Sequence, residues 1–234
     1  EYDKVCKYFN GTLIKIGPTS TTHINVLDIR EESIEEGKGY LATKIGKLRG
    51  FFNLVFGNVE EEKMAIIEEK LISIYKNKGI TFDDETLYKK DLQNGKFIFK
   101  ESKDMPILED LYKSLDTFET KHLQTKLYPF VYGSLKFLNE YTNIELNNKL
   151  IVADIYELGE DNLQFGMFIF IDLFWDKIKK DRNTSKAIYL DEIWRLIGVT
   201  SNKNVASFIY KIFKTIRKYR WECSSNYSRY FRFI

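Results

Sequence analysis

Four largely apolar residues, Ala187-Ile188-Tyr189-Leu190, run directly into two acids, Asp191 and Glu192. This is the Walker B pattern, in which a buried strand delivers carboxylates to a ligand crevice at its carboxyl end. There Asp191 would orient Mg²⁺, through water, beside nucleotide phosphates. Glu192 would polarise the attacking water as general base. The plainer reading is a core strand whose acids cap the helix that follows. The hexapeptide alone leaves both open.

The surrounding elements must place those acids. Lys149 to Ile155 is a continuous apolar run broken only by Asp154, which suits a strand buried on both faces of a parallel sheet. A long apolar helix follows from about Asn162 to Lys180, then the polar turn Arg182-Asn183-Thr184-Ser185, the strand Lys186 to Glu192, and a helix from about Asn204 to Tyr219. Strand, helix, strand, helix at this spacing is a βαβ unit, so a parallel α/β sheet is expected. Upstream, Leu13 to Ile16 reads as a short strand closed by Gly17-Pro18, and His23 to Ile29 as a looser extended segment.

Helices fill the middle of the chain. Leu41, Ile45, Leu48, Phe52 and Val55 recur near a period of 3.6 and predict a helix over 41–56. A second is expected over 60–78, with apolar positions Met64, Ile67, Leu71, Ile74 and Tyr75, with Glu60, Glu61 and Glu62 in its first turn, Lys76 and Lys78 in its last, and Gly79 as C-cap. A third should start at Met105-Pro106, with Asp104 as N-cap and Pro106 in the first turn. A fourth covers roughly 121–133, against the grain of Pro129.

Bulk properties narrow the class. The chain has 234 residues, enough for one large domain or two small ones. With 44% hydrophobic and 30% charged residues it is globular rather than disordered. Its formal net charge of +2 gives no electrostatic case for a duplex reader. Cys6 and Cys223 are far apart and form no CxxC, so a disulfide framework is not expected and a reducing cytoplasm fits. The first residues, Glu-Tyr-Asp-Lys, carry neither Met nor a signal peptide, as in a chain cut from something longer. The apolar stretch Phe165 to Trp175 is too short to span a bilayer and contains Asp172. His23 and His122 stand alone, without a metal-ligand pattern, and read as surface or turn residues. Trp175 and Trp194 read as core.

Longer segments carry a resemblance. Asp191-Glu192-Ile193-Trp194-Arg195-Leu196-Ile197 resembles the Asp-Glu-Ala-Trp segment of the VirB-type conjugation ATPases, the TraC/TraE-like motors of type IV secretion. Leu150 to Leu158 resembles that family's preceding core strand. His23-Ile24-Asn25-Val26-Leu27-Asp28 is similar to its Asn-Pro-Leu-Asp segment, with Val26 in place of Pro. Arg49-Gly50-Phe51-Phe52 and Lys78-Gly79-Ile80-Thr81 resemble its helical insertion. The likeness covers roughly residues 1–219.

That resemblance implies a partial RecA-like P-loop NTPase core, α/β with a parallel sheet and an all-helical insertion. Residues 1–33 would be the first part of the core, 34–148 the insertion, 149–219 the core with Walker B, and 220–234 an atypical tail. It implies ATP and Mg²⁺ in the intact parent, with Asp191 at the metal and Glu192 catalytic. Arg195 and Arg217 become candidate arginine fingers reaching a neighbouring subunit's phosphate, with surface salt bridges as the plainer role. It further implies a homo-oligomeric ring, type IV secretion channel proteins as partners, nucleic acid or protein as transported substrate, and a cytoplasmic position peripheral to the inner face of the membrane.

Two departures from the family qualify this. No Gly-x-x-x-x-Gly-Lys-Ser/Thr occurs, and Gly37-Lys38-Gly39 and Gly46-Lys47-Leu48 neither follow a strand nor place Ser/Thr after the lysine. In the family that loop lies just upstream of the segment matched by residue 1, and its amides and lysine carry most of the phosphate binding. This polypeptide alone is therefore expected to bind ATP poorly and to hydrolyse it negligibly. Second, after Tyr219 the family continues with Gly-Gly and an Ala-rich strand, whereas this chain reads Arg-Trp-Glu-Cys-Ser-Ser-Asn-Tyr-Ser-Arg-Tyr-Phe-Arg-Phe-Ile. A one-base shift of frame accounts for that tail; a genuine aromatic-basic tail is the alternative, and its interleaved Tyr, Phe and Arg residues would suit stacking on single-stranded nucleic acid. Against the motor fragment stand two other readings, a non-catalytic assembly module and a nucleic-acid-binding module of a transfer apparatus.

Overall fold

The computed structural model describes residues 2–33, 39–57, 59–92, 95–146, 148–180, 186–191, 210, 221–226 and 231–233. In chain order its helices are α1 (Tyr2–Tyr8), α2 (Tyr40–Phe56), α3 (Glu61–Asn77), α4 (Leu108–Ser114), α5 (Lys121–Val131) and α6 (Leu163–Lys180). Its strands are β1 (Thr12–Lys15), β2 (Tyr88–Lys90), β3 (Phe97–Phe99), β4 (Ile151–Asp154), β5 (Lys186–Asp191), β6 (Trp221–Asn226) and β7 (Phe231–Phe233). They fall into two compact units, one made of Glu1–His23 with Ile144–Ile234, the other of Ile24–Asn143.

The first unit is built on a five-stranded sheet of order β1-β4-β7-β5-β6. β1 pairs parallel with β4, and β5 parallel with β6. β7 lies antiparallel to both β4 and β5, so β1, β4, β5 and β6 share one direction. The parallel sheet expected from the βαβ pattern is therefore present, with one reversed strand inside it. Only four residues separate β6 from β7, and a parallel return needs a crossover of a dozen or more. α6 buries Phe168, Phe170 and Phe174 together with Asp172 and Asp176, the all-round burial of a core helix. It runs close under the end of β4: a Cβ on Gly166 would stand 2.4 Å from Leu158 Cδ1. On the other flank Cys6, Leu150 and Val152 form a small core cluster joined by Leu13.

The second unit has a body of four helices. α2 buries the expected Leu41, Ile45, Leu48 and Phe52, leaves Val55 half-buried and buries Phe51 and Phe56 in addition, and α3 buries the expected Met64, Ile67, Leu71, Ile74 and Tyr75. Phe51 meets Phe130 of α5 at 6.4 Å between ring centres. Arg49 bridges α2 to α3 through Glu61 at 2.7 Å and Glu68 at 3.2 Å, a half-exposed pairing worth at most about 1 kcal/mol. Pro129 lies inside α5, two residues from its end, where it removes one i→i−4 hydrogen bond, the one to Thr125.

Several expectations need correcting. The insertion is not wholly helical, because β2 and β3 form an antiparallel hairpin within it. α4 begins at Leu108 rather than at Met105-Pro106: Asp110 accepts the Ile107 N–H at 2.9 Å, while Asp104 closes an earlier 3₁₀ turn by accepting the Glu101 N–H at 2.9 Å. Residues 23–29 are not extended. Asn25 Oδ1 accepts the Leu27 N–H at 2.9 Å and the Asn25 carbonyl accepts the Asp28 N–H at 3.2 Å, a side-chain-closed turn. The helix expected over about 204–219 lies outside the described residues apart from Tyr210, which is helical.

That turn explains why the second unit starts at residue 24 and not 34. Asp28 is 4% exposed. Asn25 Nδ2 and Ser102 Oγ each donate to Asp28 Oδ1 at 2.8 Å, and Thr142 Oγ1 donates to Oδ2. The Asn25 N–H donates to Thr142 Oγ1 and the Thr142 N–H to Ser102 Oγ, both at 2.8 Å. One buried carboxylate thus ties the entry and the exit of the unit together. Burial pushes the Asp28 carboxyl above its ordinary value, while Thr142, Arg30, Ser102 and Lys44 pull the other way.

Removing that acceptor takes a partner from one buried donor, Asn25 Nδ2, and from two partly buried hydroxyls, so Asp28→Ala is expected to cost about 2 kcal/mol in urea unfolding. Because the folded-state pKa is raised, the stability tied to Asp28 is full below its unfolded value and declines as pH rises through the folded one. Asp28→Asn should therefore gain on the wild type as pH rises from about 4 toward neutrality. A pH-independent difference would contradict this assignment.

Candidate functional site

Parallel strands end on the same side of a sheet, and that edge is where α/β proteins bind ligands. Here β1 ends in Lys15, β4 in Asp154, β5 in Asp191 and β6 in Asn226. The register pairs Lys15 with Asp154 and Asp191 with Asn226, so all four residues lie along one edge. β5 is an internal strand, with β7 on one side and β6 on the other. The expected Walker B segment is thus a strand inside the sheet with Asp191 at its carboxyl end. Its described side chains, Ala187 and Tyr189, are half-buried rather than fully buried. Glu192, Arg195 and Arg217 lie outside the described residues, as does Trp194.

The loops leaving β1 and β4 form the described floor of this edge. The Ile16 N–H donates to the Asp154 carbonyl at 3.0 Å and extends the ladder by one step. Asp154 Oδ1 accepts the Tyr156 N–H at 3.0 Å, and Lys15 Nζ stands 3.9 Å from Oδ2. A Cβ at Gly17 would come 2.5 Å from Glu157 Cβ, so only glycine lets the two loops meet. Beside it Thr19 Oγ1 donates to Glu157 Oε2 at 2.6 Å. Ser20 Oγ donates to the Lys15 carbonyl at 2.6 Å, and Thr22 Oγ1 donates to the same oxygen. Sequence reasoning did not single out Asp154, Glu157 or this hydroxyl-rich turn as site residues. The signal available was Asp154 itself, an acid at the end of a buried strand like Asp191.

This donor set fits one half of a nucleotide site. Carboxylates at strand ends are hard oxygen ligands of the kind that hold Mg²⁺ directly or through water. The phosphate half needs a run of free backbone amides and a lysine. The Gly17 turn does not supply them, since Gly17 is packed against Glu157, the Ser20 N–H donates to the Gly17 carbonyl at 3.1 Å and the Thr22 N–H to Ser20 Oγ at 3.0 Å. Among the described residues no group of His, Cys, Asp and Glu is arranged to hold a metal by itself, and His23 and His122 join none. Cys6 is a buried thiol in the cluster beside β4. Among the described residues no helix is long and apolar enough to cross a membrane.

The close approach of Gly17 to Glu157 gives a direct test of this floor. Gly17→Ala should cost about 1–3 kcal/mol in thermal or urea unfolding, by overpacking. Glu157→Gly in the same chain should recover most of the loss and Glu157→Ala only a smaller part, because the new Cβ would meet Glu157 Cβ at 2.5 Å as well as Oε2 at 2.7 Å.

Comparison with known proteins bears on the whole arrangement. The chain is similar to the structure of VirB4 of Thermoanaerobacter pseudethanolicus, at 23% identity and a TM-score of 0.79 over 96% of this chain and 59% of that one. The chain therefore shares that fold and spans about three-fifths of the VirB4 chain's length. No curated protein sequence matches it. The sequence profile of the TraG P-loop domain matches residues 92–224, a stretch that includes β4, α6 and β5 with Asp191. A match over more than half of the chain places it: the chain belongs to the TraG P-loop domain family.

Proposed function

We propose that this chain is part of an ATP-driven motor of conjugation or type IV secretion, contributing the Walker B half of the nucleotide site. The observation that carries the reading is the shared direction of β1, β4 and β5, which brings Asp154 and Asp191 to one edge of the sheet in a P-loop-family chain. ATP with Mg²⁺ supplies the phosphoryl chemistry when bound. Asp191, at the end of β5, would hold the metal, and Glu192, the next residue, would serve as the general base toward the attacking water. The backbone amides and lysine that grip phosphate come from a P-loop outside these 234 residues.

Arginine fingers act across subunit boundaries, so Arg195 and Arg217 take that role in a ring of copies. The motor works at the cytoplasmic face of the membrane, against channel proteins, and moves nucleic acid or protein. Alone, the chain lacks the phosphate cradle and turns over ATP negligibly.

Phosphate release by the chain alone should stay at background. Joined to a segment carrying Gly-x-x-x-x-Gly-Lys-Ser/Thr ahead of residue 1, it should hydrolyse ATP, and Glu192→Gln should then lower the rate by roughly 10²–10⁴-fold. Hydrolysis that is indifferent to Glu192→Gln would remove the Walker B assignment.

A further inference from the structure

One strand breaks the direction of the sheet. β1, β4, β5 and β6 run the same way, and β7 runs against them from a place between β4 and β5. In doubly wound folds an antiparallel strand commonly sits at the edge, and here it is internal. Its hold is short. The three residues of β7 pair with 151–153 of β4 and with 188–190 of the six-residue β5. The connection from β4 through α6 to β5 therefore skips one position in an otherwise parallel sheet.

The chain belongs to a P-loop family and holds no Gly-x-x-x-x-Gly-Lys-Ser/Thr. A P-loop is the turn between a strand and a helix, and the phosphates it grips must reach a metal at Asp191. A strand added outside β1 would stand four strand spacings from β5, about 19 Å, out of reach of that metal. One added outside β6 would come within about 10 Å, but the helix leaving it would have to cross the whole sheet to enter β1. α1, the helix that does enter β1, lies against β1 and β4, with Cys6 packed on Leu150, Val152 and Leu13. A crossover that covers β4 and ends in β1 starts on the far side of β4, where β7 stands.

We propose that β7 holds the place of the strand that leads into the P-loop, and that this strand displaces β7 in the complete motor. The proposal rests on the reading that the P-loop lies ahead of residue 1, so that its helix runs into α1. The partner is an extended apolar segment that pairs parallel with β4 on one side and β5 on the other, through main-chain hydrogen bonds. Exchange of a reversed strand for a parallel one leaves β4 and β5 running the same way, so Asp154 and Asp191 stay on one edge. It also delivers the phosphate-binding turn to that edge. With β7 in place, the position beside Leu190 is taken by Phe231, and the tail acts as a plug in the phosphate half of the site.

A cross-link reads which strand occupies the position. Ala153 and Phe231 are partners across β4 and β7, so Ala153→Cys with Phe231→Cys should form a disulfide under mild oxidation in the 234-residue chain. In a chain joined to an apolar strand and Gly-x-x-x-x-Gly-Lys-Ser/Thr ahead of residue 1, the linked strand competes intramolecularly and this disulfide should fall about tenfold. It should return when Gly and Ser replace the strand at the same length. Lys15→Cys with Asp154→Cys, partners across β1 and β4, should cross-link in both chains and report an intact sheet. Peptide mapping separates these links from any made by Cys6 or Cys223. If the joined chain fails the control, the same strand added as a separate peptide to the 234-residue chain takes its place, read by the same disulfide. Equal cross-linking of 153 with 231 with and without the strand overturns the proposal, as does absence of that link from the 234-residue chain. Hydrolysis judges the motor reading separately. A joined chain that hydrolyses ATP with the link formed keeps that reading and overturns the displacement of β7. Loss of the link without hydrolysis keeps the displacement and overturns the motor reading.

Discussion

Strand direction is the constraint on which the functional reading depends. The pairing of Thr12 with Ile151 through Lys15 with Asp154 fixes β1 and β4 in the same sense, and β7, antiparallel to both β4 and β5, passes that sense on to β5. Reverse either pairing of β7 and the acids of β4 and β5 leave the sheet at opposite edges. With the pairing as it is, Asp154 and Asp191 end on one side, where the loops of an α/β protein gather ligands. The glycine at position 17 and the glutamate at 157 then set how closely the first two loops approach.

A second carboxylate plays the equivalent part in the other unit. Asp28 gathers donors from residues 25, 102 and 142, which are far apart in sequence and bracket the unit's two chain crossings. Its cost is desolvation and its return is three hydrogen bonds, with Arg30 and Lys44 helping to hold the charge. The Asn-x-x-Asp spacing, one of the segments that carry the family likeness, is therefore the spacing of a turn in which Asn25 binds backbone and Asp28 binds other segments.

Much of this was legible from residue types. The apolar periodicity of α2 and α3 names nearly the same residues that are buried, because a helix facing a core repeats every 3.6 positions. The runs around 150–155 and 186–191 read as strands because parallel strands are apolar on both faces, and they are strands. What failed had local physical reasons. Residues 23–29 looked extended because they are apolar, but Asn25 and Asp28 offer the backbone alternative partners and curl it. The hairpin was missed although Asn94-Gly95 between Tyr88–Lys90 and Phe97–Phe99 is a turn signal, because strands of three residues are too short to show alternation. Asp154 escaped notice as a site residue because its partner at the edge, Asp191, is contributed by a strand more than thirty residues away. β7 was invisible, since a tail unlike the family's gave no reason to expect a reversed strand between β4 and β5.

The account stands or falls on residues 186–191 being an internal strand that ends in Asp191. Solution NMR of the isotopically labelled full chain reads this directly. Extended-range chemical shifts over 186–191, with cross-strand contacts from Ile188 to Phe233 and from Leu190 to Phe231, are the expected result. Helical shifts over those residues, or their protons contacting no neighbouring strand, would contradict it.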